Sequence, residues 1–317
     1  MILESWFSKM IKDLEITEIY PKIFRMNLPL PLDVKDVNIY LITGEVPTLI
    51  DVGIKTPFFF EAIKALMKKA GVQHIARILL THWHVDHAGL AADLAEEGTE
   101  IFTSPIDYQE WFTFAKNDSF STLHEWMIQD WGVPEEKLRA MYDNHSQFQT
   151  LFSFPSKVSL IQPGDFVQAG DYRLQVISTP GHTAGHISYW LEQEKLIFTG
   201  DILLPDQIAF PGTWLEGKTR VSGLLFAISS LKRLESLSGQ RYFPAHGAPE
   251  NDPSARCRVV LDQIRNQVAR HIPAEDIYTG ASRLCNRKYG SYFLYYHLHH
   301  VFGCEAVQKQ LKKGFVF

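Results

Sequence analysis

The segment that most restricts this chain is Thr81-His82-Trp83-His84-Val85-Asp86-His87-Ala88-Gly89, which directly follows the apolar run Ala76-Arg77-Ile78-Leu79-Leu80. Histidine fills only 13 of 317 positions, so three within six residues is not a by-product of composition. Four potential ligands packed this closely are hard to satisfy as ordinary buried polar groups. In extended backbone leaving a strand, His82 and His84 are two apart and point the same way, so they can share one metal ion. Asp86 and His87 fall where the next helix begins and can turn toward a second ion.

Three more polar residues stand alone after β-type runs: His182 in Ser178-Thr179-Pro180-Gly181-His182-Thr183, Asp201 ending Phe198-Thr199-Gly200-Asp201, and His246 ending Phe243-Pro244-Ala245-His246. Each by itself fits a structural polar group at a strand end. With the first motif they make five histidines and two aspartates, enough for two coordination shells.

The rest of the chain reads as strands alternating with helices, an α/β layered body. Short β-type runs fill 19–53, a helix is expected over 60–70 with Gly71 as its cap, 88–98 reads as one helix, and 99–104 as a strand. Strands return between 158 and 200, followed by a helix near 223–234 and a short strand at 241–246. Between 105 and 154 the pattern turns helical and aromatic. Beyond Asp252-Pro253 it is helix-like. At about 150 residues per domain, 317 residues make one large domain with an appendage. The expected division is a catalytic domain over 1–250, with 105–154 as a helical insertion, and a helical extension over 251–317.

Charge excludes some partners. Lys and Arg number 31 against 36 Asp and Glu, the wrong sign for a whole-chain DNA binder. The excess of bases is local: from Arg256 onward ten Lys/Arg face four acids, against 21 and 32 in the remainder. That tail could meet a CoA phosphate or RNA, or be a solvated helical surface. Cys257, Cys285 and Cys304 have no CxxC spacing and point to a reducing compartment. No run approaches the roughly 18 apolar residues of a membrane span. The first 14 residues suit an amphipathic helix rather than a signal peptide. The expectation is a cytoplasmic protein without a membrane partner.

The ordered set HxHxDH, PGHT, GD and a final His-Gly resembles the metallo-β-lactamase-fold hydrolase superfamily, over roughly residues 16–250. The resemblance implies a four-layer αββα sandwich with the metals at one edge between two sheets. It implies His82, His84 and His182 on one ion, Asp86, His87 and His246 on the other, and Asp201 bridging. Asp51 matches an aspartate that such folds use to fix a ligating histidine, although a strand-end Asp also caps turns. His186, Thr81 and Thr183 are candidate supporting donors. Two divalent ions are expected, zinc by default, since a His/Asp set also accepts iron, manganese or nickel. A hydroxide bridging them, with Asp86 orienting it and handling the leaving-group proton, would be the nucleophile.

Departures from subgroup patterns narrow the substrate. True β-lactamases of this fold lack the bridging aspartate that Asp201 matches, and mononuclear persulfide dioxygenases use fewer ligand positions. Flavin-linked di-iron reductases have Glu where His84 stands. The lactone-cleaving Tyr three residues after the bridging Asp is Leu204 here, and no GCGR-type segment follows. The aromatic insertion is read as an apolar lid, with a self-contained helical cluster or a dimer contact as the alternatives. Tyr108, Trp111, Phe114, Phe210 and Trp214 are the candidate substrate contacts. An apolar lid suits a small acyl substrate, a thioester ahead of a lactone or ester, and suits RNA poorly. A phosphodiesterase or endoribonuclease of the same fold and a non-catalytic metal-binding sensor are the alternatives. His297, His299 and His300 read as surface or interface histidines, and a homodimer is compatible with the apolar C-terminal segment.

Overall fold

The computed structural model describes residues 11, 13–30, 36–95, 98–115, 150–216 and 219–269. The N-terminal amphipathic segment up to residue 10, most of the 105–154 insertion and the chain from 270, with His297, His299 and His300, lie outside them. Among the described residues no helix is long and apolar enough to cross a membrane.

Seven strands form the first sheet in sequence order: β1 (Ile16–Tyr20), β2 (Ile23–Pro29), β3 (Asp36–Ile42), β4 (Thr48–Ile50), β5 (Arg77–Leu79), β6 (Glu100–Thr103) and β7 (Ser159–Leu160). Pairing is antiparallel as far as β4 and parallel from β4 to β7. Helix α1 (Pro57–Ala70) crosses from β4 to β5. It begins earlier than the expected residue 60, because the Thr56 hydroxyl accepts from Phe59 N and Pro57 occupies the first turn, where a missing N–H costs nothing. Its buried residues Phe59, Ala62, Ile63 and Leu66 recur at helical spacing, and Gly71 ends it in the left-handed region at φ 71°. Of the helix expected over 88–98, the described residues hold only the short α3 (Ala91–Leu94), and a separate turn of helix, α2 (Val85–Ala88), precedes it. Helix α4 (Pro105–Ala115) follows β6.

The second sheet is built from β8 (Phe166–Ala169), β9 (Tyr172–Ser178), β10 (Ile187–Leu191), β11 (Leu196–Gly200), β14 (Arg241–Pro244) and β15 (Glu250–Asn251), in the order β15-β14-β11-β10-β9-β8. Only β11 and β14 run parallel. Between those two the chain makes a hairpin, β12 (Thr213–Glu216) with β13 (Thr219–Ser222), and the helix α5 (Gly223–Ser236). The hairpin was absent from the sequence expectation. Helix α6 (Pro253–Ala269) closes the described chain.

Three apolar layers follow from period-two strands. On β3, Val37, Ile39 and Leu41 face the cluster under α1, whereas Tyr40 and Ile42 face the other sheet. There they meet Val176, Ile187, Tyr189, Phe198 and Phe243. The outer face of the second sheet packs Trp190 and Ile197 against Leu224, Ile228 and Leu231 of α5 and Cys257, Val260 and Ile264 of α6. The order helix, sheet, sheet, helix is the αββα sandwich.

Buried polar groups stitch the two sheets together at one edge. Tyr189 donates to Leu80 O (2.8 Å), and Ile187 N donates to Thr81 O (2.9 Å). Tyr40 donates to Pro244 O (2.6 Å), while Asn38 Nδ2 reaches Pro244 O and Gly247 O (2.8 and 2.7 Å). These ties hold the loop after β5 to β10 of the second sheet, and the end of β14 with its following loop to β3 of the first.

Candidate metal centre

All seven ligand candidates sit just beyond strand ends on that edge. His82, His84, Asp86 and His87 occupy the loop after β5 and the start of α2; His182, Asp201 and His246 follow β9, β11 and β14. The structure brings them together in three overlapping groups: His82, His84 and His182; His82, His87 and Asp201; and Asp86, His87 and His246. Within each group the ligand atoms lie within 4.8 Å of one another.

Hydrogen bonds on the far sides of the rings decide which nitrogen faces inward. Thr81 donates its hydroxyl to Asp51 Oδ2 (2.8 Å), so it accepts from His82 Nδ1 (3.1 Å). His87 Nδ1 donates to Asp51 Oδ2 (2.9 Å), His182 Nδ1 to Phe210 O (2.7 Å) and His246 Nδ1 to Asp36 O. Four histidines therefore turn Nε2 into the site. His84 offers Nδ1, which lies 3.1 Å from His82 Nε2 and 2.9 Å from His182 Nε2. Three imidazole nitrogens converging this closely suit a cation, because lone pairs otherwise repel.

Asp201 joins the groups. Its Oδ2 lies 3.2 Å from His182 Nε2, and its Oδ1 lies 3.0 Å from His246 Nε2 and 3.6 Å from His87 Nε2. Asp86 Oδ2 lies 3.7 and 3.6 Å from the same two nitrogens of His87 and His246. Yet His87 Nε2, His246 Nε2 and Asp201 Oδ1 are buried without a hydrogen bond of sound geometry. Orphaned buried polar atoms are costly, and divalent ions between the imidazoles and carboxylates would satisfy all three. The donor set of five His and two Asp fits such ions.

The carboxylates draw positive charge to the His87 side of the cluster, whereas the imidazole-rich side disfavours it. Burial and the surrounding imidazoles hold His82 well below the usual histidine range. Burial opposes protonation of His87, but the carboxylates of Asp86, Asp201 and Asp51 outweigh it and raise its pKa to about 10. Burial likewise works against an ionised Asp201, and His246, His87 and His182 more than reverse that, keeping the carboxyl well below its ordinary value.

Asp51 closes β4 in the left-handed region at φ 55°, a conformation Asp tolerates better than most residues. That turn directs its other oxygen to Thr81 N (2.8 Å). His186 is not among the grouped atoms. Its Nε2 accepts from Asp201 N (3.1 Å) and its Nδ1 faces the Thr179 hydroxyl (2.8 Å), so it holds the main chain of Asp201 as a neutral ring. Burial takes its pKa down to about 3. Thr183 bonds Asp107 rather than the ligand cluster.

The expected substrate contacts divide. Trp111 is corrected: it is 1% exposed, part of the core under the first sheet, with its ring edge-on to Phe154 at 5.1 Å. Tyr108 lies against Phe112 and Phe154, and Trp214 is buried against Phe226 of α5. Phe210 reaches the centre through its carbonyl. Phe114 stands 5.1 Å from Trp83, whose ring is 4.9 Å from that of His84, so these two aromatics border the cluster. Trp83 was missed because a residue between two ligands reads as a spacer. The carbonyls of Asp36 and Phe210 were missed because main-chain acceptors leave no side-chain signature.

Comparison with known proteins gives a consistent relationship. The sequence pattern described as "Metallo-beta-lactamase superfamily" matches residues 32–246, more than half of the chain. A Bacillus subtilis (strain 168) protein described as "Probable metallo-hydrolase YqjP" is 30% identical over 261 residues, covering 77% of each chain. An "Atrochrysone carboxyl ACP thioesterase" of Aspergillus fumigatus is 24% identical over 260 residues, covering 81% of this chain and 66% of that protein. The crystal structure of a metallo-beta-lactamase family protein from Thermus thermophilus superposes with a TM-score of 0.77 at 24% identity. It covers 92% of this chain and 95% of that one, and the likeness is one of fold.

Proposed function

Since the chain belongs to the metallo-beta-lactamase superfamily of metallo-hydrolases, we propose that it is a two-ion hydrolase of small acyl substrates, thioesters foremost. The observation that carries this reading is Asp201, whose two oxygens face different histidine groups. His82, His84 and His182 would hold one divalent ion, and Asp86, His87 and His246 the other, with zinc the default. Ions held there would lower the pKa of a bound water toward neutrality and would supply a Lewis-acidic contact for an acyl oxygen.

The chain's own groups do the rest. Thr81, Asp51, Phe210 and Asp36 take the outer ring protons and so hold the inner lone pairs in place. Asp201, anchored through its own N–H by His186, keeps the two groups in register. Asp86, 8% exposed and at the start of α2, is the carboxylate placed to carry a proton to the leaving group. Trp83 and Phe114 give that edge an apolar border, which favours an acyl chain over a polyanion. The thioester preference also draws on the thioesterase among the relatives.

The test is a hydrolysis screen on protein of measured metal content, with Asp201→Asn beside it. Acyl-CoA and glutathione thioesters, acyl lactones, a bis-phosphodiester, single-stranded RNA and a chromogenic β-lactam are the substrates. Turnover of thioesters with two ions per chain, lost in the variant, is the expected result. Turnover confined to the diester or RNA would overturn the acyl reading.

A further inference from the structure

A carboxylate outside the ligand set ties two of its loops together. Asp107, in the first turn of α4, is fully buried. Its Oδ2 accepts from Trp83 N (3.2 Å) and from the Thr183 hydroxyl (2.8 Å), and its Oδ1 accepts from Gly185 N (2.8 Å). Trp83 lies between His82 and His84, while Thr183 and Gly185 lie just after His182. One side chain thus clasps the turn that carries two histidines of the first group to the turn that carries the third.

The fit is tight and specific. A Cβ on Gly185 would come within 2.4 Å of Ser104 Oγ and 2.5 Å of Asp107 N and Oδ1, so only glycine lets the 182–186 turn approach α4. One helical turn beyond Asp107, Glu110 Oε2 accepts from Trp83 Nε1 (2.9 Å), so α4 grips both the backbone and the indole of Trp83. Three donors converge on the Asp107 carboxyl, two on Oδ2 and one on Oδ1, so both of its oxygens are engaged by the two loops, while burial and then the neighbouring Glu110 push its pKa up. Asp107 bonds neither loop of the other half, where Asp36 holds His246 and Asp51 holds His87 while also reaching His82 through Thr81.

We infer that Asp107 is the positioning residue for the three-histidine half of the centre, setting His182 against His82 and His84, while leaving the Asp86, His87 and His246 half to other supports. The inference rests on the two-ion reading above. An Asn at 107 would turn its NH2 toward at least one of the three donors, loosening one loop against the other.

The experiment strips the full-length protein of metal and titrates it with Co2+, reading stoichiometry, affinity by chelator competition, and the visible d–d absorption. Asp107→Asn is compared with wild type, with His84→Ala and His246→Ala as markers of the two halves. Thr183→Val removes a single donor and serves if Asp107→Asn does not fold. Asp107→Asn is expected to weaken one ion by about tenfold or more, as loss of an outer partner does. The band it loses is the one that His84→Ala loses, and the band missing in His246→Ala stays. Thr183→Val shifts the same ion by less. The inference is overturned if both variants keep wild-type affinities, or if they weaken the two ions equally. Wild-type protein binding fewer than two Co2+ ions would instead remove the two-ion reading and this inference with it.

Discussion

Asp51 Oδ2 accepts the ring N–H of His87 at 2.9 Å and the Thr81 hydroxyl at 2.8 Å, so one buried oxygen orients His87 directly and His82 through Thr81. The two histidine groups therefore share a support at the end of β4. Asp51→Asn keeps a residue that tolerates left-handed backbone but places an amide N–H2 among donors. Divalent-ion affinity should fall about 10- to 100-fold. Chelator competition reads this directly, and wild-type affinity in the variant would show that Asp51 does not orient the rings.

Removing the joint between the groups should cost more. Asp201→Asn leaves the His186 bond to the main chain intact but weakens the oxygen that faces His87 and His246. Metal content by elemental analysis should drop below two ions per chain. Turnover should fall by more than the about 10- to 100-fold typical of losing an outer partner. Full activity with one ion per chain would refute the two-ion mechanism.

Gly200, immediately before Asp201, has φ 52°, and a Cβ there would lie 2.6 Å from His186 Nε2 and 2.8 Å from Thr81 Cβ. Gly200→Ala combines a left-handed penalty with a clash against the group that holds Asp201. A loss of about 1–3 kcal/mol or more is expected from urea unfolding of the chelated protein. A change within about 0.5 kcal/mol, the range of an ordinary surface substitution, would contradict the packing described.

Glu110 carries a pH signature. Burial pushes its carboxyl up to about 7 from 4.5, even though the Trp83 indole N–H pulls the other way. Between those values the unfolded chain has released the proton and the folded chain retains it. The stability this contributes is present in full below pH 4.5 and is lost as pH rises through 7. Glu110→Gln does not titrate and keeps an acceptor for Trp83. Its melting temperature relative to wild type should therefore climb from about pH 4.5 to about pH 8, and a difference independent of pH would rule out the elevated carboxyl.

Much of the centre could be read in the chain because its candidate ligands are side chains in a fixed order, lying past apolar strands. The first motif alone marks a loop that no ordinary core would tolerate. What escaped reading depends on tertiary approach. His186 and His182 are alike as letters in the sequence, and only the direction of the ring separates a ligand candidate from a group bonded to Asp201 N. Asp107 looks like a helix-start acid until the 182–186 turn is folded onto it. Trp111 and Phe114, three apart in α4, share an aromatic segment, yet the first fills the core and the second reaches the edge beside Trp83. The early start of α1 was legible in Thr56-Pro57. The break between α2 and α3 was not, since Gly89 and Leu90 look helical in an alanine-rich run.

The sandwich draws its seven inward-facing groups from both sheets, four from the loop after β5 and three from the ends of β9, β11 and β14. The last of them, His246, lies 159 residues after His87. On a ribosome the first sheet can therefore collapse around its own core while the histidines at 82, 84 and 87 still wait for their counterparts. The complete arrangement is therefore available only once His246 has been added, and a chain cut short before it would carry the opening motif intact and the second half of its centre unfinished.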